Sequence, residues 1–216
     1  MGFAELQDNI LLIYSHIITY GGAADDMITS RICREIEDMW NEPGADVPFE
    51  GILHRVRFRI TGEYIPHLLP IDVVSNTNPR YNYFRIEHVA PGNISFVDGI
   101  GCNTGYFLFE NLYEGSTTAA HEYGHTLGLV HPRNIDIRGQ GVPGIMYPRG
   151  TIVDSIYQYN SGASPGDNRN GGTMHPKFRK VRKQDVEDLK LHKLEFENRT
   201  ATVGEFSSVW HEERES

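Results

Sequence analysis

The chain has 216 residues, of which 39% are hydrophobic and 23% are charged, so it is long enough to bury one substantial core or two small ones. Its 20 Lys and Arg residues stand against 29 Asp and Glu residues, and the formal net charge of −9 disfavours a nucleic acid or an anionic membrane as the partner. Two cysteines are too few for a disulfide-stapled scaffold and form no C-x-x-C motif, which excludes zinc and redox sites of that type.

The N-terminal part of the chain predicts a strand followed by a helix. Residues 9–20 are rich in Ile, Leu, Tyr and Thr and are followed by two glycines, which is typical of a strand and its exit turn. Residues 27–40 have the helical period, because apolar side chains recur on one face. These side chains are Ile32, Ile36, Met39 and Trp40. Cys33 lies beside this stripe, and we expect it to be a buried free thiol.

The middle of the chain predicts several short strands. In residues 51–60 apolar side chains alternate with arginines, as in a strand with one buried face. Three further strand candidates are residues 83–89, 94–97 and 106–109.

Two more helices are predicted after these strands. Ser116 is expected to cap a helix that runs to Leu127, and Gly128 supplies the left-handed stop. Val186, Leu189 and Leu194 indicate a last helix. Since no repeat or linker divides the chain, we predict a single α+β domain over residues 1–216, with helices on the faces of a mixed sheet.

One motif within the second of these helices carries the chemistry. His121 and His125 are four residues apart, so a helix places both imidazoles on the same side, where they can bind one zinc ion. Gly128 allows the sharp exit that returns His131 to the same ion. Three neutral histidines leave a fourth position for water, which is the arrangement of a catalytic zinc site. Glu122 is rotated by about 100° from His121, outside the ligand set but near that water.

These residues, together with residues 144–148 as a Met-turn, resemble the metzincin clan of zinc metalloendopeptidases, and within it most closely the matrixins. The resemblance implies a twisted mixed sheet with an active-site helix in an upper subdomain, about residues 1–128. A small irregular lower subdomain, about residues 129–216, would follow, with the cleft between the two. It also implies that Met146 is an apolar floor beneath the histidines and that Glu122 is the general base for hydrolysis of peptide bonds by metal-activated water.

The sequence departs from the matrixin pattern in several places. Pro132 stands where matrixins commonly have Ser, Gly150 stands where they have Tyr, and no cysteine-switch segment is present. Two alternatives therefore stay open beside the endopeptidase. The first is a catalytically inactive zinc-binding or recognition domain on the same scaffold, which the presence of Glu122 disfavours. The second is an interaction module in which the histidine pattern is accidental.

Several weaker candidates are expected to be structural. We expect Tyr147 to pack, His175 to be a loop residue, and Cys102 to be inert. Asp167, Asn168 and Asn170 are similar to a calcium loop but lack EF-hand spacing, so we favour a solvated turn, with a structural Ca²⁺ site as the unsupported alternative. A strand within residues 94–109 is expected to hold the substrate by main-chain pairing.

The expected partner is a protein or peptide substrate, and the sequence leaves open whether a dedicated inhibitor or immunity protein exists. No apolar run is long enough to span a membrane, and the chain shows no export signal. Because metzincins generally act outside the cell that makes them, the resemblance implies a secreted protein or a delivered effector.

Overall fold

The computed structural model describes residues 1–207 and 209–213 and shows a mixed α/β fold. The strands are β1 (Gly2–Gln7), β2 (Ile10–Tyr20), β3 (Asp46–Phe49), β4 (Ile52–Tyr64), β5 (Tyr81–Glu87), β6 (Phe96–Val97), β7 (Thr104–Leu108) and β8 (Thr200–Val203). The α-helices are α1 (Asp26–Asn41), α2 (Pro70–Val74), α3 (Thr118–Thr126) and α4 (Lys183–Asp188). Short 3-10 turns cover Pro91–Asn93, Phe109–Asn111, Ser155–Tyr157, Pro176–Phe178 and Leu191–Lys193.

The strands form one mixed sheet whose main path runs β3-β4-β2-β5-β7-β6. One edge of β2 pairs with β4 in parallel along most of its length. The other edge is shared, because β1 pairs antiparallel with its first half and β5 pairs parallel with its second half. The sheet therefore branches at β2: β8 continues the sheet from β1, and β6 forms the last strand beyond β5 and β7.

Helix α1 connects the sheet to α3. Asp25 caps α1 by accepting a hydrogen bond of 2.7 Å from the backbone N–H of Ile28. The buried face contains the predicted stripe, except that Met39 is only half-buried, and Cys33 is a buried free thiol as predicted. At the end of α1, Trp40 Nε1 donates a hydrogen bond of 3.1 Å to the carbonyl of Ala120 on α3. The position of α3 is thus tied to the sheet through α1.

The sequence predicted Ser116 as a cap of α3, and Ser116 Oγ does accept a hydrogen bond of 3.3 Å from the backbone N–H of Thr118. The helix begins at Thr118, and the residue before it, Thr117, has a left-handed φ of 58° and makes no side-chain cap. Its hydroxyl is engaged elsewhere, since it donates to the carbonyl of Pro176 at 2.9 Å and accepts from Arg179 at 2.9 Å. Glu35 of α1 also accepts a hydrogen bond of 3.1 Å from the backbone N–H of Ala120. A carboxylate from another helix therefore satisfies a second N-terminal donor of α3, in addition to the one that Ser116 caps.

The last predicted helix is shorter than expected. Helix α4 ends at Asp188, and Lys190 has a positive φ of 52°, which interrupts the helical path before Leu194. The chain continues instead as the Leu191–Lys193 turn, in which Leu191 is buried in the main core. The break therefore coincides with the burial of Leu191, which the helical period did not predict.

Residues 1–128 are called here the sheet region, and residues 129–198 the loop region. The loop region has isolated bridges, short turns and α4 in place of a sheet. The main hydrophobic cluster includes side chains from both, among them Tyr123 and Met146. The division into an upper and a lower subdomain stays a prediction. Across the described residues, no helix combines the length and hydrophobicity needed to cross a bilayer.

Candidate metal centre

Helix α3 and the turn after it bring three histidines together. His121 and His125 lie one turn apart on α3, and their ring centroids are 4.9 Å apart. Gly128 then ends the helix with a φ of 102°, a conformation that L side chains rarely adopt, while a Cβ there would meet no atom within 4 Å. The glycine is therefore required for its backbone conformation. This turn returns His131 to the first two histidines.

The Nε2 atoms of the three imidazole rings lie close together. The Nε2 atom of His131 lies 3.0 Å from Nε2 of His121 and 3.0 Å from Nε2 of His125. Two ligand atoms at zinc's usual 2.0 to 2.1 Å in tetrahedral geometry would be separated by roughly 3.3 Å. The spacing in the structure thus fits a zinc ion bound by three nitrogens.

Backbone carbonyls select the tautomer of two of these rings. Nδ1 of His121 lies 2.7 Å from the carbonyl oxygen of Ile145, and Nδ1 of His125 lies 2.7 Å from that of Leu129. Because a carbonyl oxygen only accepts, each Nδ1 carries the proton and donates it. Each Nε2 is left with a free lone pair in the neutral ring. Lone pairs that converge in this way are the donor set of a cation site.

The surroundings of the histidines keep them neutral. Burial lowers the pKa of His121 well below its ordinary value and lowers the pKa of His125, and the charge of Arg179 acts in the same direction on both. The pKa of His131 falls to about 4, again chiefly through desolvation, although its residue surface is exposed at the mouth of the cleft. Neutral imidazole is the form that binds a metal, so no proton competes near pH 7.

Glu122 lies in a cleft of about 230 Å³ that is also lined by His121 and His131. Its side chain is buried, and desolvation raises the pKa of the carboxyl to about 8. The charges of Arg179 and Arg149 and a hydrogen bond from the backbone of Val97 oppose this rise. The cleft therefore holds a carboxyl group whose affinity for a proton is high near neutral pH.

The predicted Met-turn lies directly against α3. Met146 is buried in the main hydrophobic cluster, and a Cβ added at Gly124 of α3 would collide with its sulfur. The preceding residue, Ile145, supplies the carbonyl that orients His121. Helix α3 and the Met-turn thus pack together with no space for a side chain at Gly124, and the role of Met146 as a floor for the histidines stays a prediction.

The weaker candidates lie outside the histidine cluster. Tyr147 packs against the small cluster of Ile137, Val153 and Met174. The ring of His175 lies 4.4 Å from that of Tyr159, and its Nδ1 accepts from the backbone of Lys177. Asp167 accepts three hydrogen bonds, one from Arg169 and two from Asn170, which is the geometry of a turn.

The sequence reasoning missed two arginines of the same cleft. Arg149 and Arg179 both line it, yet neither belongs to a periodic pattern. Arg149 stands just beyond the Met-turn, and its position directly after Pro148 was the one available signal. Arg179 comes from a basic stretch of the loop region that reads as a solvated surface, whereas the structure buries it to 3% exposure.

Comparison with known proteins finds no matching family model and no matching curated protein. Among solved structures, the chain is similar to the crystal structure of archaemetzincin from Methanopyrus kandleri, with a TM-score of 0.40 and 12% sequence identity. The match covers 83% of this chain and 95% of that chain. Any assignment of function rests on the histidine cluster and its cleft.

Proposed function

We propose that the protein is a zinc-dependent peptidase of the metzincin type and that it acts as an endopeptidase. The observation that carries the proposal is the convergence of Nε2 atoms from His121, His125 and His131, with the opposite nitrogens of the two helical histidines held by carbonyls. A zinc ion bound there would polarise a peptide carbonyl and lower the pKa of water.

Glu122 is proposed as the general base. It neighbours His121 in the chain and lines the same cleft, so its carboxylate oxygen is placed to accept a proton from the water that attacks the peptide carbonyl. Burial raises the pKa of this carboxyl to about 8, and the charge of a zinc ion beside it would lower that value, so the group would be ionised to accept the proton and could then return it to the departing amine.

The edge of the sheet offers a place for an extended substrate. Strand β6 is the last strand on its path, and the backbone of Val97 contacts Glu122, so the edge of β6 faces the cleft. Ile94 and Ser95, just before β6, also line the cleft. We propose that the substrate lies along β6 by main-chain pairing, which favours internal positions of a peptide.

The test is the substitution Glu122→Gln, which keeps the shape of the side chain and removes its basicity. We expect zinc to remain at one ion per chain while the rate of peptide hydrolysis falls by about 10² to 10⁴. Metal analysis and a quenched fluorescent peptide library measure the two quantities. Glu114→Gln, at an exposed position, is the matched control and should retain full activity.

Two results would contradict the proposal. Wild-type turnover in Glu122→Gln would remove Glu122 from the mechanism. Wild-type protein that binds zinc but cleaves no peptide in the library would favour the non-catalytic zinc-binding domain.

A further inference from the structure

The cleft beside the histidines contains a buried positive charge. The guanidinium of Arg179 donates from Nε to Thr117 and from Nη1 to the carbonyl of Tyr147, the latter at 3.3 Å. Its Nη2 has no hydrogen-bond partner among residues 1–207 and 209–213, and no carboxylate in that part of the chain lies within 4.0 Å of it. A buried guanidinium without a direct counterion is costly unless a ligand supplies one.

A second guanidinium lines the same cleft. Arg149 is half-buried and donates from Nη2 to Asn111 at 2.7 Å, and it too lacks an ion pair in the described chain. The two arginines repel each other, which adds to the desolvation that lowers the pKa of Arg179 to about 10. Glu122 and Glu35 are the acidic groups that offset this charge, and they act from a distance.

An unused hydroxyl accompanies the two arginines. Thr118, at the start of α3, lines the cleft, and its buried Oγ1 has no hydrogen-bond partner among the described residues. Positive charge is not a general property of this protein, whose net charge is −9. The cleft therefore combines two guanidinium groups with an unpartnered hydroxyl in an otherwise acidic protein.

We infer that this cleft binds a carboxylate group of the substrate between Arg149 and Arg179, next to the bond that is cleaved. The inference rests on the proposed peptidase function and names its substrate class. The free Nη2 of Arg179 can donate to one oxygen of a carboxylate while Arg149 donates to the other, and a partly dry cleft strengthens both hydrogen bonds. The carboxylate can belong to an Asp or Glu side chain or to the C-terminus of a peptide.

The experiment compares four acetylated, alanine-rich peptides of one length. One pair contains a central Asp or Asn and ends in a carboxamide, and the other pair contains only Ala and ends in a free carboxylate or a carboxamide. Isothermal calorimetry measures their binding to zinc-loaded Glu122→Gln protein and to zinc-free wild-type protein. Cleavage by zinc-loaded wild-type protein is measured in parallel.

We expect a carboxylate peptide to bind at least tenfold more tightly than its neutral partner, and Arg149→Gln to reduce this preference to less than twofold. Arg149 is the primary position because it is only half-buried, and a melting curve verifies that the variant folds. Arg179→Lys keeps the positive charge but removes the Nη2 donor, so we expect a partial loss of the preference for the carboxylate peptide. Arg57→Gln, on the exposed face of β4, is the matched control and should retain the preference.

The outcomes test the carboxylate site and the peptidase function separately. Preference for Asp alone assigns a side-chain carboxylate. Preference for the free terminus alone assigns a terminal one, which would make the protein a carboxypeptidase and overturn its proposed action as an endopeptidase. Equal binding within both pairs, or an undiminished preference in folded Arg149→Gln, overturns the inference even where peptides are cleaved. Carboxylate binding that Arg149→Gln abolishes, in a protein that cleaves no peptide, supports the carboxylate site and refutes the peptidase function.

Discussion

The sheet region and the loop region contribute to one site by different means. In the sheet region, helix α3 fixes the spacing of His121 and His125, and α1 holds that helix through Trp40 and Glu35. In the loop region, single backbone carbonyls and one histidine complete the cluster. Regular structure thus places the two helical nitrogens, whereas irregular chain orients their rings and supplies the third.

The interior of the loop region explains why it depends on polar contacts. Apart from side chains that join the main core, its own cluster has only three buried residues, Ile137, Val153 and Met174. It also buries Arg179, and both amide atoms of Gln158 are buried without a partner among the described residues. Such an interior gains less from the hydrophobic effect than the core beneath the sheet. We therefore expect the loop region to be the less stable of the two.

The largest predicted effect is the difference in stability lost when two ion pairs, one in each region, are broken. Arg85 and Glu87 form a buried pair at 2.5 Å in the sheet region, with side chains 9% and 11% exposed. Glu87→Gln leaves Arg85 without its charge partner, so we expect a loss of about 3 to 5 kcal/mol in the free energy of unfolding.

Arg138 and Asp136 form a pair of similar length, 2.6 Å, in the loop region, but their side chains are 53% and 40% exposed. Asp136→Asn should leave the free energy of unfolding almost unchanged, because water screens the pair. Urea titration of both variants measures the contrast. Equal losses would show that the two pairs do not differ in their coupling to the fold.

The second prediction concerns the contact between the regions. His125→Ala removes one proposed ligand and the hydrogen bond to the carbonyl of Leu129. Zinc affinity should fall at least 100-fold, or about 2.8 kcal/mol, as measured by competition with a chromogenic chelator. Hydrogen exchange should accelerate at residues 129–147 and stay unchanged in β2 and β4.

His175→Ala is the matched control, since that ring packs on Tyr159 away from the cluster. Zinc binding of wild-type strength in His125→Ala would refute the ligand assignment. A uniform increase in exchange across β2 and β4 would refute the difference in stability between the regions.

The third and smallest prediction tests buried charge in the loop region by pH. Burial raises the pKa of Asp185 to about 6, against about 3.9 in an unfolded chain. Between these values the folded state binds more protons, so this group's contribution to stability falls as pH rises from about 4 to 6. Relative to Asp185→Asn, the wild-type protein should lose about 1 to 2 kcal/mol of stability over that range.

Chemical denaturation at several pH values measures this difference. Asp38→Asn, at an exposed position of α1, shows the effect of the substitution alone. A difference between wild type and Asp185→Asn that does not change with pH would contradict the assignment of the shift to burial.

The sequence predicted the features that follow from local periodicity. Alternating arginines and apolar residues in β4 gave the correct buried face, with Val56, Phe58 and Ile60 inside. The helical spacing of His121 and His125 likewise brought the two rings together as expected. Such patterns need only the geometry of one element.

Features that depend on distant pairing were not predicted. Strands β1, β3 and β8 are short, and β3 contains Pro48, so none has a strong pattern of its own. Ser116 caps α3 locally as predicted, but the second N-terminal contact of this helix comes from Glu35, 85 residues before Ala120, and no local motif signals it. Arg179 enters the cleft for the same reason, because tertiary contacts and not sequence spacing place it.

The pairing of β1 with β8 has a consequence for biosynthesis. Gly2 faces Val203 across this ladder, so all residues between these two must leave the ribosome before β1 acquires its second neighbour. Until then the free side of β1 is open to strands from other nascent molecules. The risk of pairing with other chains therefore exists during translation, and it ends when β8 pairs with β1 in the folded sheet.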